Sequence, residues 1–205
     1  MLIQSSHSNL DRGLDPYFTP PAATFSLLAI EKLPRRIWEP AAGNGAISSI
    51  LALTHQVYPS DIADYGNPEI HTSIDYLNTD LSFPPDDLVG IVTNPPFKLA
   101  LQFIQKSLTE VSYSAWLLRT NFLESTSRLP LFISNPPSRI HISSRRLPMM
   151  HRHNWSGPTA PSNTCHAWFI WDYRSGPTIT TTLHWFDWLD HQPSTPATDP
   201  STLGF

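Results

Sequence analysis

Asn94-Pro95-Pro96-Phe97 closes the apolar run Val89 to Val92 and sets two amide-type acceptors beside an aromatic face. The paired prolines fix the local backbone and remove two N–H donors, so the carbonyls there lack their usual neighbours. A planar ring with an exocyclic amine suits such a clamp. The Asn94 oxygen and the Pro95 carbonyl can each accept one of its N–H bonds while Phe97 stacks on the ring.

A second constellation lies upstream. In Glu39-Pro40-Ala41-Ala42-Gly43-Asn44-Gly45 the two glycines let the backbone approach a ligand closely. A dinucleotide-binding turn would carry a third glycine where Ser48 stands and would seat a pyrophosphate on the following helix. Glu39 argues against an anion and favours a cationic group, such as the ammonium of an amino acid. Roughly 20 residues further on, Asp61 stands where an acid in such folds takes ribose hydroxyls.

These loops need strands to launch them. Apolar runs alternate with amphipathic stretches, the signature of βαβ units on a parallel sheet. Pro21 to Lys32 reads as a helix, Arg36 to Trp38 as a strand, and the glycine turn leads into a helix carrying Ile47, Ile50, Leu51 and Leu53. Further strands are expected at Gln56 to Tyr58, near Ile74, at Leu88 to Thr93 and at Ser114 to Leu118, with a helix from Lys98 to about Thr109. Ala167 to Tyr173 and Thr178 to Trp185 read as a closing antiparallel hairpin around Ser175-Gly176-Pro177. The order is that of a doubly wound α/β sheet with an antiparallel edge hairpin.

Bulk properties agree with one globular domain: 205 residues, 40% hydrophobic and 11% aromatic. No apolar stretch approaches the roughly 18 residues that cross a bilayer, and Met1 to Asp15 lacks a signal pattern, so a cytoplasmic protein is expected. Residues 1–15 and 191–205 read as flexible tails around a domain at 16–190. Cys165, the only cysteine, excludes an internal disulfide and a cysteine-rich zinc site and is expected to be a buried thiol. The net charge of −4 speaks against bulk electrostatic coating of nucleic acid. Arg139, His141, Arg145, Arg146, His151, Arg152 and His153 nevertheless crowd one segment, as either a solvated face or a phosphate-contacting patch.

The Glu39 loop, Asp61, Asp75-Tyr76-Leu77 and Asn94-Pro95-Pro96-Phe97 resemble motifs I to IV of S-adenosylmethionine-dependent amino-methyltransferases of the adenine-N6 branch. Phe18-Thr19-Pro20 resembles motif X, placed ahead of motif I as in the gamma arrangement. The resemblance runs from about Asp15 to Asn121. It is most similar to the small phage and prophage DNA adenine methyltransferases, partly through Leu118-Arg119-Thr120-Asn121-Phe122-Leu123-Glu124 and Arg145-Arg146-Leu147-Pro148-Met149-Met150.

The resemblance implies a class I methyltransferase, Rossmann-like fold and S-adenosyl-L-methionine as cofactor. Phe18, Thr19 and Pro20 would meet its methionine end, and Glu39, Pro40, Ala41, Gly43 and Gly45 would hold it. Asp61 with Ile62 would take the ribose side, and Asp75, or less readily Asp80, the adenine amine, with Tyr76 or Leu77 beside the ring. Asn94, Pro95, Pro96 and Phe97 would form the catalytic clamp on a flipped-out adenine of DNA, and no catalytic metal is expected. Within a small basic insertion at about 125–161, Arg145, Arg146 and Arg152 would contact phosphates and Trp155 would wedge or stack. An Asn at the head of motif IV also resembles enzymes that methylate RNA adenine or protein glutamine amides. A catalytically silent cofactor-binding protein is a further alternative.

Overall fold

The computed structural model describes residues 19–79, 90–148, 164–177 and 179–193. Helix α1 (Pro21–Ile30) starts on a proline, whose missing N–H costs nothing in the first turn. It turns Ala22, Ala23 and Leu27 inward, and the two alanines leave its backbone within reach of Trp168 on the sheet. Strand β1 (Arg36–Glu39), helix α2 (Ser48–Leu51), strand β2 (Gln56–Pro59), strand β3 (Gly90–Thr93), helix α3 (Ala100–Glu110) and strand β4 (Tyr113–Arg119) follow. Beyond them come helix α4 (Leu129–Ser134) and strands β5 (Arg139–Ser143), β6 (His166–Asp172) and β7 (Thr182–Phe186).

The seven strands form one sheet in the order β2-β1-β3-β4-β6-β5-β7. Only β6 opposes its neighbours; β2, β1, β3 and β4 are mutually parallel, and β5 is parallel to β7. Strand residues divide strictly between two core layers. Ile37, Val92, Ala115, Leu117, Trp168 and Ile170 face α1 and α2, whereas Trp38, Ile91, Trp116, Leu118, Phe169 and Trp171 face α3. Burial on both faces is why the interiors of these strands are apolar on successive residues rather than on alternate ones. Trp38, Trp116, Trp168 and Trp171 are all fully buried, and truncating such a ring to alanine typically costs about 3–5 kcal/mol. Three of the indoles find oxygen: Trp38 donates to Ser60 Oγ (2.8 Å), Trp168 to the Ala23 carbonyl (3.0 Å) and Trp171 to the Asn135 carbonyl (2.8 Å).

Several sequence expectations are corrected. The closing hairpin is not formed as a pair, because both edges of β6 are occupied, one by β4 and the other by β5. Strand β7 therefore pairs outside β5, with Arg139 opposite Thr182. Near Ile74 there is no strand, only a single bridge between Ser60 and His71, and Ser73 takes a φ of 61° that breaks the extended run. Helix α2 is one turn long. Strand β5 lies inside the stretch read as a basic insertion, although Arg139-Ile140-His141-Ile142-Ser143 alternates with period two. Cys165 is exposed rather than buried, since β6 begins one residue later.

The polar face of β5 is buried in an ion network. Arg139 donates to both oxygens of Glu31 (2.7 and 3.0 Å) and to Asp172 Oδ2 (2.8 Å), while His141 Nε2 lies 2.6 Å from Glu31 Oε1. Arg174 adds two further bonds to Asp172, at 2.8 and 2.9 Å. Hydrogen bonds from Arg174 and Arg139 outweigh burial and hold the Asp172 carboxyl down at about 2. Its charge stabilises the fold above the ordinary aspartate value of about 3.9, and that contribution disappears as pH falls through about 2. Urea midpoints measured between those pH values should fall more steeply for the native chain than for Asp172→Asn.

Candidate active site

Trp38 of β1 stands opposite Ile91 of β3 in parallel register, so the segments after Glu39 and Thr93 leave the sheet side by side at its carboxyl edge. Open α/β sheets bind ligands at that edge. Thr93 Oγ1 donates to the Ala41 carbonyl (3.4 Å), and Ala42 N–H donates to the Ser60 carbonyl (3.0 Å). Asp61, buried just past β2, accepts from Gly43 N–H (2.8 Å) and Ala63 N–H (3.0 Å). Three strand ends are thereby laced into one rim, with the exposed side chain of Ile62 beside it.

Glu39 is only 1% exposed. Burial pushes its carboxyl well above the usual range, partly offset by hydrogen bonds with Ser48, and the neighbouring Asp61 charge pushes the same way as burial. Its Oε2 has no hydrogen-bond partner among the described residues. An unmet buried oxygen is costly, and a cationic ligand group would satisfy it. Gly43 (φ +58°) has nothing within 4 Å of where a Cβ would sit, which leaves room in front of the loop. Gly45 (φ +89°) is confined instead: a Cβ there would lie 2.8 Å from Asn67 Nδ2 and 3.3 Å from Ser48 Oγ.

Asn94 is joined to the segment ahead of α1. Its Nδ2 donates to Thr19 Oγ1 (3.1 Å), and Thr19 is 5% exposed, so the contact orients Oδ1 as the acceptor end. Pro20 and Pro95 are buried. The Pro96 carbonyl is committed to Leu99 N–H (2.9 Å), and neither Pro95 nor Pro96 carries a backbone N–H of its own. Phe97 is half-buried, with the Arg119 guanidinium carbon 4.0 Å from its ring centroid. Asp75 spends Oδ1 on Leu77 N–H (3.0 Å) and Oδ2 on Asn78 Nδ2 (2.6 Å), bracing its own turn. Tyr76 is buried in the core against Trp38 and Phe103, its hydroxyl donating to Glu110 Oε2 (3.0 Å); Leu77 is the half-exposed one of the two.

The structure brings Thr19, Pro20, Glu39 to Ala41, Gly43, Gly45, Asp61 and Asn94 together through these bonds. Phe18, Asp80, Arg152 and Trp155 lie outside the described residues. Among the described residues of the basic cluster, Arg139 and His141 serve the Glu31 network and Arg145 is paired with Asp187 (3.0 Å), while Arg146 is exposed; His151 and His153 also lie outside the described residues. Sequence reasoning gave Arg119 no role, although a lone cation ending the apolar run Ser114 to Leu118 marks a side chain at the same sheet edge.

No family model matches the chain, and no curated protein matches it in sequence. Solved structures do match in fold. A modification subunit of a putative type I restriction enzyme from Vibrio vulnificus superposes with a TM-score of 0.57 at 15% identity, covering 85% of this chain and 48% of that one. A type I restriction-modification system methyltransferase subunit from Streptococcus thermophilus gives 0.52 at 12% identity, covering 77% and 44%. The 23S rRNA methyltransferase ErmE gives 0.50 at 17%, covering 77% and 68%. This chain thus spans under half the length of the two restriction-system subunits. The fold is the class I, Rossmann-like fold of methyltransferases.

The glycines can be told apart by substitution. Gly45→Ala combines left-handed backbone strain with a clash and should lower unfolding free energy by about 2–3 kcal/mol in urea titration. Gly43→Ala meets only the strain and should cost about 1 kcal/mol.

Proposed function

We propose that the chain transfers a methyl group from S-adenosylmethionine to the N6 amine of adenine in nucleic acid, DNA before RNA. The Thr19–Asn94 hydrogen bond carries this reading, because it joins the segment expected at the cofactor's methionine end to the residue expected to grip the amine. Residues fitted to the cofactor are also at hand. Glu39 offers an unmet buried carboxyl oxygen for an ammonium group, and Gly43 fronts open space. Thr19, Pro20, Pro40, Ala41, Gly45, Asp61 and Ile62 would line the same cradle, with Asp75 and Leu77 toward the adenine. When bound, the cofactor supplies a methyl group already activated on a sulfonium.

The chain's own part is acceptor placement. An amine conjugated to a purine is a poor nucleophile, since its lone pair is delocalised into the ring. Asn94 Oδ1 and the Pro95 carbonyl would draw on its two N–H bonds, favour a tetrahedral nitrogen and stabilise the positive charge that develops there. Alignment accounts for the remainder. Phe97 would replace the stacking that a base loses on leaving a duplex. DNA is preferred because the motifs resemble those of small phage enzymes, and two structures of similar fold belong to restriction-modification systems. The likeness to an rRNA methyltransferase keeps RNA adenine as the second reading.

Incubation with labelled cofactor and, separately, unmethylated DNA, RNA and lysate protein tests this, with nucleoside mass spectrometry scoring N6-methyladenine. Label in DNA is expected; label in RNA alone selects the second reading; label in protein alone overturns both. Asn94→Ala should reduce kcat by about 10²–10³-fold with affinity for S-adenosylhomocysteine retained. Glu39 predicts a pH effect on that affinity. Its raised carboxyl must ionise to meet an ammonium, so binding releases a proton and tightens as pH rises toward the carboxyl's own titration. Calorimetry should find this slope absent in Glu39→Gln.

A further inference from the structure

Phe97 follows two prolines on an irregular turn, where nothing in the backbone ladder fixes the pitch of its ring. Arg119 supplies that fixation. It ends β4 directly opposite His166, the first residue of β6, and the next residue is pinned as well, Thr120 N–H donating to the Cys165 carbonyl (2.9 Å). From this anchored position the guanidinium lies over the Phe97 ring, 4.0 Å from its centroid, a distance suited to a cation–π stack. The ring of His166, itself 4% exposed, stands 6.3 Å from that of Phe97 at 42°. One face of Phe97 is thus occupied from within the protein.

We propose that Arg119 is a positioning residue that backs Phe97, so that the ring offers a single face, at a fixed pitch, to the base held by Asn94. The inference rests on the nucleic-acid reading above and deepens it. A cation behind the ring draws π density from it, which favours an electron-rich purine amine on the opposite face and disfavours a ring that already carries positive charge. In this arrangement the base takes the face of Phe97 turned away from Arg119, which acts on base capture through the ring. Its removal therefore weakens base capture more than the chemical step, raising KM more than it lowers kcat.

The test compares native chain, Arg119→Met, Arg119→Lys, Phe97→Leu and the Phe97→Leu/Arg119→Met double variant. Initial rates are measured with labelled cofactor on whichever nucleic acid the native chain methylates, with S-adenosylhomocysteine affinity by calorimetry and thermal unfolding as controls. Arg119→Met should lower kcat/KM on the order of tenfold, chiefly through KM, with cofactor affinity unchanged. Arg119→Lys, which keeps the charge and loses the planar stack, should fall between. In the Phe97→Leu background the same Met substitution should cost less than about twofold, because its target is gone. Equal cost in both backgrounds, or kcat/KM for Arg119→Met within about twofold of native, would overturn the proposal. So would a salt dependence of binding that drops by about one unit in Arg119→Met, which would make Arg119 a phosphate contact. A native chain that methylates neither DNA nor RNA sinks the nucleic-acid reading and this inference together, an outcome distinct from an active chain indifferent to Arg119.

Discussion

Parallel pairing of β1 with β3 sets the distance between everything that matters at the carboxyl edge of the sheet. With Trp38 opposite Ile91, the acidic loop and the Asn94 turn must leave neighbouring strands in the same direction. The bonds Thr93–Ala41, Ala42–Ser60 and Gly43–Asp61 then tie those exits together. Any slip of register would turn Trp38 toward α1 and part these bonds at once. The pairing is secured by burial on both faces, where α1 and α2 cover one layer and α3 the other.

That rigidity lets the fold carry an unfavourable group. Glu39 sits at the buried end of β1 with one oxygen unmet, and burial first, then the Asp61 charge, drives its carboxyl toward the neutral form. A loosely packed loop would swing the acid into solvent. Here the hydrogen bonds with Ser48 hold it at the buried end of β1. Glu31 shows the opposite arrangement of the same chemistry: largely but less completely buried, it is met by Arg139 and His141, whose hydrogen bonds overcome burial and lower its carboxyl. One acid is a finished structural joint, the other an open valence.

Strands β3 and β4 were legible in the sequence because both faces are buried and their residues are mostly apolar, and β1 because its Ile37-Trp38 pair leads straight into the glycine turn. The Glu39 loop and the Asn94 turn were legible as local motifs, since glycine spacing and paired prolines are backbone constraints that need no partner. Strand β5 was hidden by its own chemistry. Arg139 and His141 look like a solvated face until Glu31, 108 and 110 residues away in sequence, is folded against them. The same holds for the brace between Asp61 and Gly43 and for the bond from Asn94 to Thr19 across 75 residues. Pairing of β7 outside β5 could not be read from turn residues, because Gly176 (φ +104°) turns the chain as a hairpin would while β5 already fills the partner's place.

Strand β6 has a consequence for how the chain matures. It is made after β5 yet inserts between β4 and β5, so the outer third of the sheet has no seat until Asp172 has emerged from the ribosome. The parallel strands β2, β1, β3 and β4 depend on no later segment for their own pairing, which lets the half that carries the candidate site form early. Until β6 arrives, the far edge of β4 lies open, with Ala115, Trp116, Leu117 and Leu118 along it. Such an uncovered apolar edge invites wrong partners, and in the finished fold one reversed strand closes it from Tyr113 to Arg119.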